Sequence, residues 1–286
     1  MNYIPPKKSE VEAGTENALC LESYSTQERL MLERLEALFK DWYAEFKTAE
    51  GPSGKIIRDF SAEDMCFDGF YPGYLDQRVK ILFLGRESRE ISGFNYLELL
   101  YQAIKEGRIG SKSLNRSEFH RRMLYIAYCL QTGESAYSEV PWAQELSPAF
   151  GTSKLSFAFM NLSKFSNENA SYQSDYELIR KAVELSTRHR NFIQEEIVLL
   201  RPDVIFAMRL SDFFDSIGPL EPIAAEAYKS SPVRPYTLTA GNQQFLLLDT
   251  PHFSAIVPEE KAFFKPILDV LMDDRLRAFT PFLDRH

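Results

Sequence analysis

The stretch Val-Lys-Ile-Leu-Phe-Leu-Gly at residues 79–85 carries the strongest fold signal in the chain. Its apolar run is short and stops at Gly85, which is typical of a strand buried on both faces of a parallel sheet. Similar runs follow at residues 155–160, 204–208 and 245–248. Because helical patterns separate these runs, the sequence predicts an α/β fold: a three-layer α/β/α sandwich around a central four-stranded parallel sheet.

The helices around these strands are predicted from capping residues and apolar spacing. Ser25 and Glu28 form an S-x-x-E capping box, and apolar residues recur at helical spacing after it. Ser174 and Glu177 predict the cap of a long helix that runs towards Leu200. Further helices are expected at about 96–105, 117–131 and 258–272.

The predicted domain organisation divides the chain at about residue 50. Residues 1–50 are expected to form an N-terminal arm and a helix, and residues 51–286 the α/β domain. A helical insertion at about 95–150 follows the first strand and contains a loop rich in basic residues.

Composition and charge argue against several classes of protein. Of the 286 residues, 44% are hydrophobic and 26% are charged, which is typical of a globular protein. The net charge is −8, so no overall positive field attracts a nucleic-acid backbone. The three cysteines are far apart, which argues against a disulfide framework or a Cys-x-x-Cys metal site. Without an apolar leader or a membrane span, the chain is expected to be cytoplasmic, with no membrane partner.

Three polar residues follow the predicted strands at the point where each strand ends. Glu87 follows the first strand, Asn161 the second and His252 the fourth. In parallel sheets, ligands bind beyond the carboxyl ends of the strands. A carboxylate, a carboxamide and an imidazole can orient water, read an amide-like edge and stabilise an anion. These are the tasks of hydrolysing a nucleoside at its glycosidic bond.

Each of these residues also has a purely structural interpretation. Glu87 can form a surface ion pair with Arg86 or Arg89. Asn161 can cap the turn after its strand, and His252 can be a packed residue with satisfied hydrogen bonds.

Four segments together resemble the uracil-DNA glycosylase superfamily. They are LFLGRESRE (82–90), FAFMN (157–161), LLRPDVIFAM (199–208) and HFSAIV (252–257), in the family's order across about residues 60–272. The first segment is similar to a divergent branch that carries G-x-E-[ST] at this motif. The resemblance implies a uracil-DNA-glycosylase-like fold and an enzyme that flips a base out of nucleic acid and hydrolyses its N-glycosidic bond.

The resemblance also implies roles for the matching residues. Glu87 positions or activates water, Asn161 binds the base edge and selects uracil, and His252 stabilises the departing base anion. Ile256 stands at the position of an apolar side chain that wedges into a duplex. The expected base-binding residues are Gly85, Arg86, Ser88, Asn161 and an aromatic residue, Phe94 or Tyr96.

Several residues depart from the family's motifs. Glu87 replaces aspartate or asparagine and extends the carboxylate by one methylene. Ser88, Phe253 and Ala255 replace prolines, which predicts loops that are less preorganised.

The predicted nucleic-acid surface is a local basic patch in the insertion, with Lys105, Arg108, Lys112, Arg116, Arg121 and Arg122. An ordinary solvated helical face explains the same charges. If the patch binds phosphates, affinity is expected to be modest and salt-sensitive, which favours single-stranded or damaged DNA as the substrate. The expected DNA-binding residues are Lys112, Arg116, Arg121, Ser254 and Ile256.

Three functions remain open from the sequence. The first is a DNA-repair N-glycosylase that excises uracil or another modified base without a metal or organic cofactor. The second is a catalytically inactive protein of the same fold that binds a nucleobase or nucleic acid. The third is another hydrolase of nucleosides or nucleotides that uses the same crevice.

Overall fold

The structure is a computed structural model that describes residues 19–169 and 173–284. Most of the predicted N-terminal arm, residues 1–18, lies outside the described residues. In chain order the strands are β1 (Gly69–Phe70), β2 (Ile81–Gly85), β3 (Arg108–Ile109), β4 (Lys112–Ser113), β5 (Ala158–Asn161), β6 (Val204–Met208), β7 (Leu220–Pro222), β8 (Arg234–Ala240) and β9 (Gln243–Thr250).

The centre of the main sheet is parallel, as the sequence predicts. Strand β2 pairs in parallel with β5 on one side and with β6 on the other, and β6 pairs in parallel with β9. These are the four strands expected from the apolar runs, and the α/β class is confirmed.

The main sheet is larger than predicted, because antiparallel strands extend both edges. Within the described residues it has seven strands, in the order β1-β5-β2-β6-β9-β8-β7, instead of four. Strand β1 pairs antiparallel with β5, and β8 pairs antiparallel with both β7 and β9. A tight turn at Gly241, whose φ is +57°, joins β8 to β9 as a hairpin. The predicted four-stranded parallel sheet is thus the centre of a larger mixed sheet, and a sandwich with only four strands is not confirmed.

The helices of the described chain are α1 (Thr26–Ala49), α2 (Tyr96–Lys105), α3 (Glu118–Thr132), α4 (Ala143–Leu146), α5 (Tyr176–Thr187), α6 (Phe192–Leu200), α7 (Phe214–Ile217), α8 (Ala225–Tyr228) and α9 (Lys265–Leu271). The capping box of α1 is confirmed: Ser25 Oγ accepts from the Glu28 backbone N–H at 3.3 Å, and the Glu28 carboxylate accepts from the Ser25 N–H at 2.9 Å. No helix of the described residues is long and apolar enough to span a membrane.

The predicted long helix from Ser174 to Leu200 is two helices, α5 and α6. Asp175, not Ser174, caps α5, since its carboxylate accepts from the Leu178 N–H at 3.1 Å. Asn191 caps α6 and accepts from the Gln194 N–H at 3.0 Å. This second cap interrupts the helix where apolar spacing alone suggests continuity.

The insertion at 95–150 contains α2, α3 and α4, and its basic loop forms the small antiparallel hairpin β3–β4. Helix α3 packs onto the main sheet through aromatic side chains. Phe119 lies beside Phe159 of β5, with ring centroids 6.2 Å apart. Phe83 of β2 packs against Phe206 and Phe253 at 5.4 and 5.5 Å. Phe119 of α3 also lies 6.4 Å from Phe253, so the start of α3 packs against this aromatic cluster.

Candidate functional site

The carboxyl ends of the four parallel strands lie in one row. Gly85 of β2 is level with Asn161 of β5, and Met208 of β6 is level with Thr250 of β9. Because β2 and β6 are neighbours, the residues that follow each strand meet at the same edge of the sheet. The structure thus brings the segments of Glu87, Asn161 and His252 to this edge.

Asn161 places its carboxamide directly over Gly85. A Cβ atom at Gly85 would lie 2.4 Å from Asn161 Oδ1, so only glycine leaves room for this side chain. Asn161 is 4% exposed, and its carboxamide makes no hydrogen bond within the described residues. Its backbone N–H donates to Asp68 Oδ2 at 2.7 Å. The carboxamide is therefore fixed in position while its donor and acceptor groups remain free for a ligand.

A buried charge cluster stands behind Asn161. Lys164 Nζ lies 2.6 Å from Asp68 Oδ1 and 2.8 Å from Glu196 Oε2, and all three residues are buried. Burial and the neighbouring Asp68 raise the pKa of Glu196 well above its ordinary value, which favours its protonated form. Lys164 and Asp68 are then a buried ion pair that anchors the backbone of Asn161.

His252 is a neutral imidazole whose Nε2 carries the proton. Its Nδ1 accepts from the Ser254 backbone N–H at 3.3 Å and lies 2.7 Å from Ser254 Oγ. Burial, together with the positive charges of Arg86, Arg209 and Arg122, lowers its pKa to about 4. With Nδ1 occupied as an acceptor, Nε2–H is available to donate to an anion that forms in the site.

The loop that carries His252 is held in position by hydrogen bonds. The buried Arg122 of α3 donates from Nη1 to the carbonyls of Phe253 and Ala255 at 2.8 and 2.9 Å. The Ala255 N–H also donates to the His252 carbonyl at 2.8 Å. The Arg122 guanidinium thus fixes the conformation of the loop.

The loop after β2 is also stiffened by hydrogen bonds. The carbonyls of Gly85, Arg86 and Ser88 accept backbone N–H groups of the chain after β5 at 3.0, 2.8 and 2.8 Å. Ser88 is buried, and its hydroxyl lies 3.6 Å from Cys66 Sγ. Ser88 is therefore part of the loop's packing, and the structure does not turn it towards an open crevice.

Glu87 lies at the predicted edge, but its carboxyl group is enclosed. Its side chain is 5% exposed, and Arg86 Nε lies 4.0 Å from Glu87 Oε2. Burial raises the pKa of Glu87, and the hydrogen-bonding groups of Ser174, Asn167 and the Asp175 backbone act in the opposite direction. These groups belong to the segment that leads into α5. The Glu87 carboxyl group is thus oriented towards that segment and connects it to the loop after β2.

The aromatic residues near the site differ from those expected. Tyr96 stacks on Phe159, with centroids 4.7 Å apart, and is therefore packed. Phe94 is half-buried in the loop before α2. The half-exposed Phe119 lies 5.7 Å from the ring of His252 and 6.2 Å from that of Phe159. Phe119 is thus the aromatic side chain nearest to both sides of the crevice among these candidates, and the sequence prediction missed it.

The predicted DNA-binding residues lie in different surroundings. Ile256 is fully exposed and Ser254 is exposed, both on the His252 loop. Lys112 and Arg116 are exposed on and after the small hairpin. Arg121 is engaged: its Nε donates to Glu259 Oε1 at 2.9 Å, and its Nη2 donates to Glu259 Oε2.

Two further residues at this edge were not predicted. Arg209 follows β6 with φ +58°, and its N–H donates to the Thr250 carbonyl at 2.9 Å, which joins the ends of β6 and β9. Asp249 has its pKa raised to about 6 by burial. No sequence pattern marks either residue, because their importance comes from strand neighbours that are distant along the chain.

Among the described residues, no group of three or more His, Cys, Asp or Glu side chains is placed to hold a metal ion. Comparison of the chain with protein-family models, with curated proteins and with solved structures finds no match.

Proposed function

We propose that this protein is an N-glycosylase that excises uracil or another modified base from DNA by base flipping. The observation that carries the proposal is the placement of Asn161 and His252 at the carboxyl ends of strands of the same parallel sheet. Asn161 offers a fixed carboxamide without another partner among residues 19–169 and 173–284, and His252 offers Nε2–H from a neutral ring. A pyrimidine base needs both contacts: one reads its amide edge, and the other stabilises the anion as the bond breaks.

The arrangement of the central strands supports the family resemblance. In the parallel order β5-β2-β6-β9, the four family-like segments lie on, or directly after, these strands. In the proposed reaction, Arg86 and Arg209 add positive charge near His252 and favour the departing anion. The fully exposed Ile256 would fill the space that a flipped base leaves in a duplex. The uracil-DNA-glycosylase-like sandwich is part of this proposal.

The enclosed carboxyl group of Glu87 favours a second candidate function. If Glu87 serves only to hold the segment before α5, no carboxylate at this position activates water. The protein would then bind a nucleobase or nucleic acid without cleaving it. The two functions share the pocket and differ in turnover.

An excision assay separates these candidates. The full chain is incubated with single- and double-stranded oligonucleotides that contain uracil, and abasic product is detected by alkaline strand cleavage. We expect product from the wild type and at least a hundredfold slower excision in Asn161→Ala, since this change removes the base contact. The matched control is Asn242→Ala, at the β8–β9 turn before β9 and so at the opposite edge of the sheet.

Glu87→Gln decides the role of the carboxylate. A large loss of rate with unchanged thermal stability supports water activation, whereas an unchanged rate makes Glu87 a structural residue. If the wild type gives no product but binds the oligonucleotide, and Asn161→Ala abolishes this binding, the protein binds nucleic acid without cleaving it. The glycosylase proposal would then be contradicted.

A further inference from the structure

An exposed aromatic ring stands beside the site at the start of α5. Tyr176 is 36% exposed, and its ring stacks on the buried Phe213 with centroids 6.3 Å apart and an interplanar angle of 9°. Phe213 thus supports the ring from one side and fixes its orientation. An aromatic ring that is held in this way and remains accessible is suited to stacking on a planar ligand.

Arg86 connects this ring to the site. Its Nη1 donates to the Tyr176 hydroxyl at 3.1 Å, and its guanidinium carbon lies 5.8 Å from the ring centroid. Its Nε is buried and has no hydrogen-bond partner, with Glu87 Oε2 4.0 Å away. The guanidinium is therefore held beside the Tyr176 ring, and 15% of the Arg86 side chain is exposed.

Arg209 adds a second guanidinium from the neighbouring strand. It is exposed, follows β6 and precedes Phe213 by four residues. Its charge acts on His252, as does that of Arg86. The acidic groups at the start of α5 are already paired, since Arg58 lies 2.5 Å from Asp175 and also bonds Glu177. The positive charge at this edge is thus not cancelled by those acids.

A ring with an accessible face beside two guanidinium groups suits one class of ligand. Proteins that bind single strands stack bases on aromatic side chains and hold the backbone with basic groups. In a duplex, by contrast, each base is already stacked between its neighbours. With a net charge of −8, only such a local arrangement can attract phosphate.

We propose that Arg86, Tyr176, Phe213 and Arg209 form a ledge for one nucleotide of a single-stranded nucleic acid. The base stacks on Tyr176, and Arg86 and Arg209 bind its phosphate. This ledge rests on the proposed function, because it would hold the nucleotide next to the one in the pocket and make single strands the preferred substrate.

The test measures binding without excision. A short fluorescent strand of thymidylates, which contains no uracil, is titrated with the full chain by fluorescence anisotropy, alone and as a duplex. We expect Tyr176→Ala to weaken single-strand binding by about 5- to 150-fold and Arg86→Ala by about tenfold or more. Tyr176→Phe, which keeps the ring, should stay within about threefold of the wild type.

The control is Arg277→Ala. Arg277 is exposed and lines a surface pocket with Leu283, whose carbonyl accepts from Arg78 just before β2, at the amino end of the sheet. Thermal unfolding checks that each variant is folded.

The proposal is overturned if the wild type does not bind the strand, if Tyr176→Ala binds as tightly as the wild type, or if the duplex binds as tightly as the single strand. If binding depends on Tyr176 but uracil is not excised, the proposed glycosylase function is contradicted and the proposed ledge is supported. If uracil is excised but binding does not depend on Tyr176, the glycosylase function is supported and the ledge is contradicted.

Discussion

Gly85 and Asn161 show how one small residue can fix the position of a candidate binding group. The carboxamide occupies the space that a side chain at residue 85 would need, with 2.4 Å between Asn161 Oδ1 and the Cβ position. Phe159 stands on the same side, 3.3 Å from that position. Glycine at the end of β2 therefore stops the strand and also makes room for the Asn161 carboxamide.

A double-mutant cycle tests this arrangement without reference to function. We expect Gly85→Ala to destabilise the fold by about 1–3 kcal/mol, because the new methyl group overpacks a rigid site. In an Asn161→Ala background the clash partner is absent, so the same change should cost clearly less. Urea denaturation measures both values. Equal costs in the two backgrounds would contradict the close contact.

His252 leads to a prediction for pH. Its pKa is about 4 in the folded chain and about 6.5 in an unfolded one, so the unfolded state binds more protons between these values. The contribution of His252 to stability should therefore fall as pH decreases from about 6.5 to 4. His252→Gln should flatten this part of the stability–pH curve, measured by urea denaturation at several pH values.

An NMR titration of the imidazole nitrogens gives the complementary check. Arg209→Ala should raise the pKa of His252, because it removes a positive charge that disfavours the imidazolium. Arg277→Ala should leave the pKa unchanged. A midpoint near 6.5 in the wild type would show that the ring is not buried among cations.

At the scale of residues, the sequence predicts the edge of the sheet but not the contacts there. Glu87, Asn161 and His252 follow apolar runs, and the ends of parallel strands necessarily meet. The partners of Glu87 belong to a segment about 80 residues later, and the role of Arg209 depends on a left-handed backbone. Neither the distant partners of Glu87 nor the backbone conformation of Arg209 produces a pattern in the nearby sequence.

At the scale of elements, apolar runs and caps predict the four parallel strands and the first helix. Strand β8 was missed because its alternating sequence, Arg-Pro-Tyr-Thr-Leu-Thr-Ala, is less apolar than the central strands. The Gly241-Asn242 pair between β8 and β9 is typical of a hairpin turn, so the sequence does contain a sign of this hairpin. Edge strands face different surroundings from buried parallel ones, so one apolar criterion does not find both.

The junction of β5 and α6 gives a prediction at this scale. Lys164→Met should cost about 3–5 kcal/mol, because Asp68 would become a buried charge without a partner. Glu196→Gln should instead stabilise the fold at neutral pH, because the raised pKa of Glu196 disfavours in the folded chain the carboxylate that the unfolded chain carries.

The control for this junction is Lys181→Met, which breaks an exposed pair with Glu184 and should cost about 0–1 kcal/mol. The raised pKa of Glu196 also means that its contribution to stability falls as pH rises above about 4.5, and Glu196→Gln should remove that decline. A small cost for Lys164→Met, measured by urea denaturation, would contradict the buried ion pair.

At the scale of the whole molecule, the charge distribution limits how the protein would bind the proposed nucleic acid. The chain carries 41 acidic and 33 basic side chains of Lys and Arg, so its net charge repels a phosphate backbone. Some arginines of the basic patch are committed to the fold, since both Arg121 and Arg122 pair with Glu259. A few local phosphate contacts, and not a broad positive surface, are left to bind the strand.

Salt dependence measures the number of these contacts. For single strands, each neutralised phosphate contributes about −0.7 to the slope of log K against log salt concentration, so the one phosphate bound by Arg86 and Arg209 predicts about −0.7. Arg86→Ala should make the slope shallower than this, because the phosphate loses one of its two arginines. Arg121→Ala should leave the slope unchanged, because its guanidinium bonds Glu259. A much steeper slope that falls in Lys112→Ala and Arg116→Ala would instead place the strand on the β3–β4 hairpin.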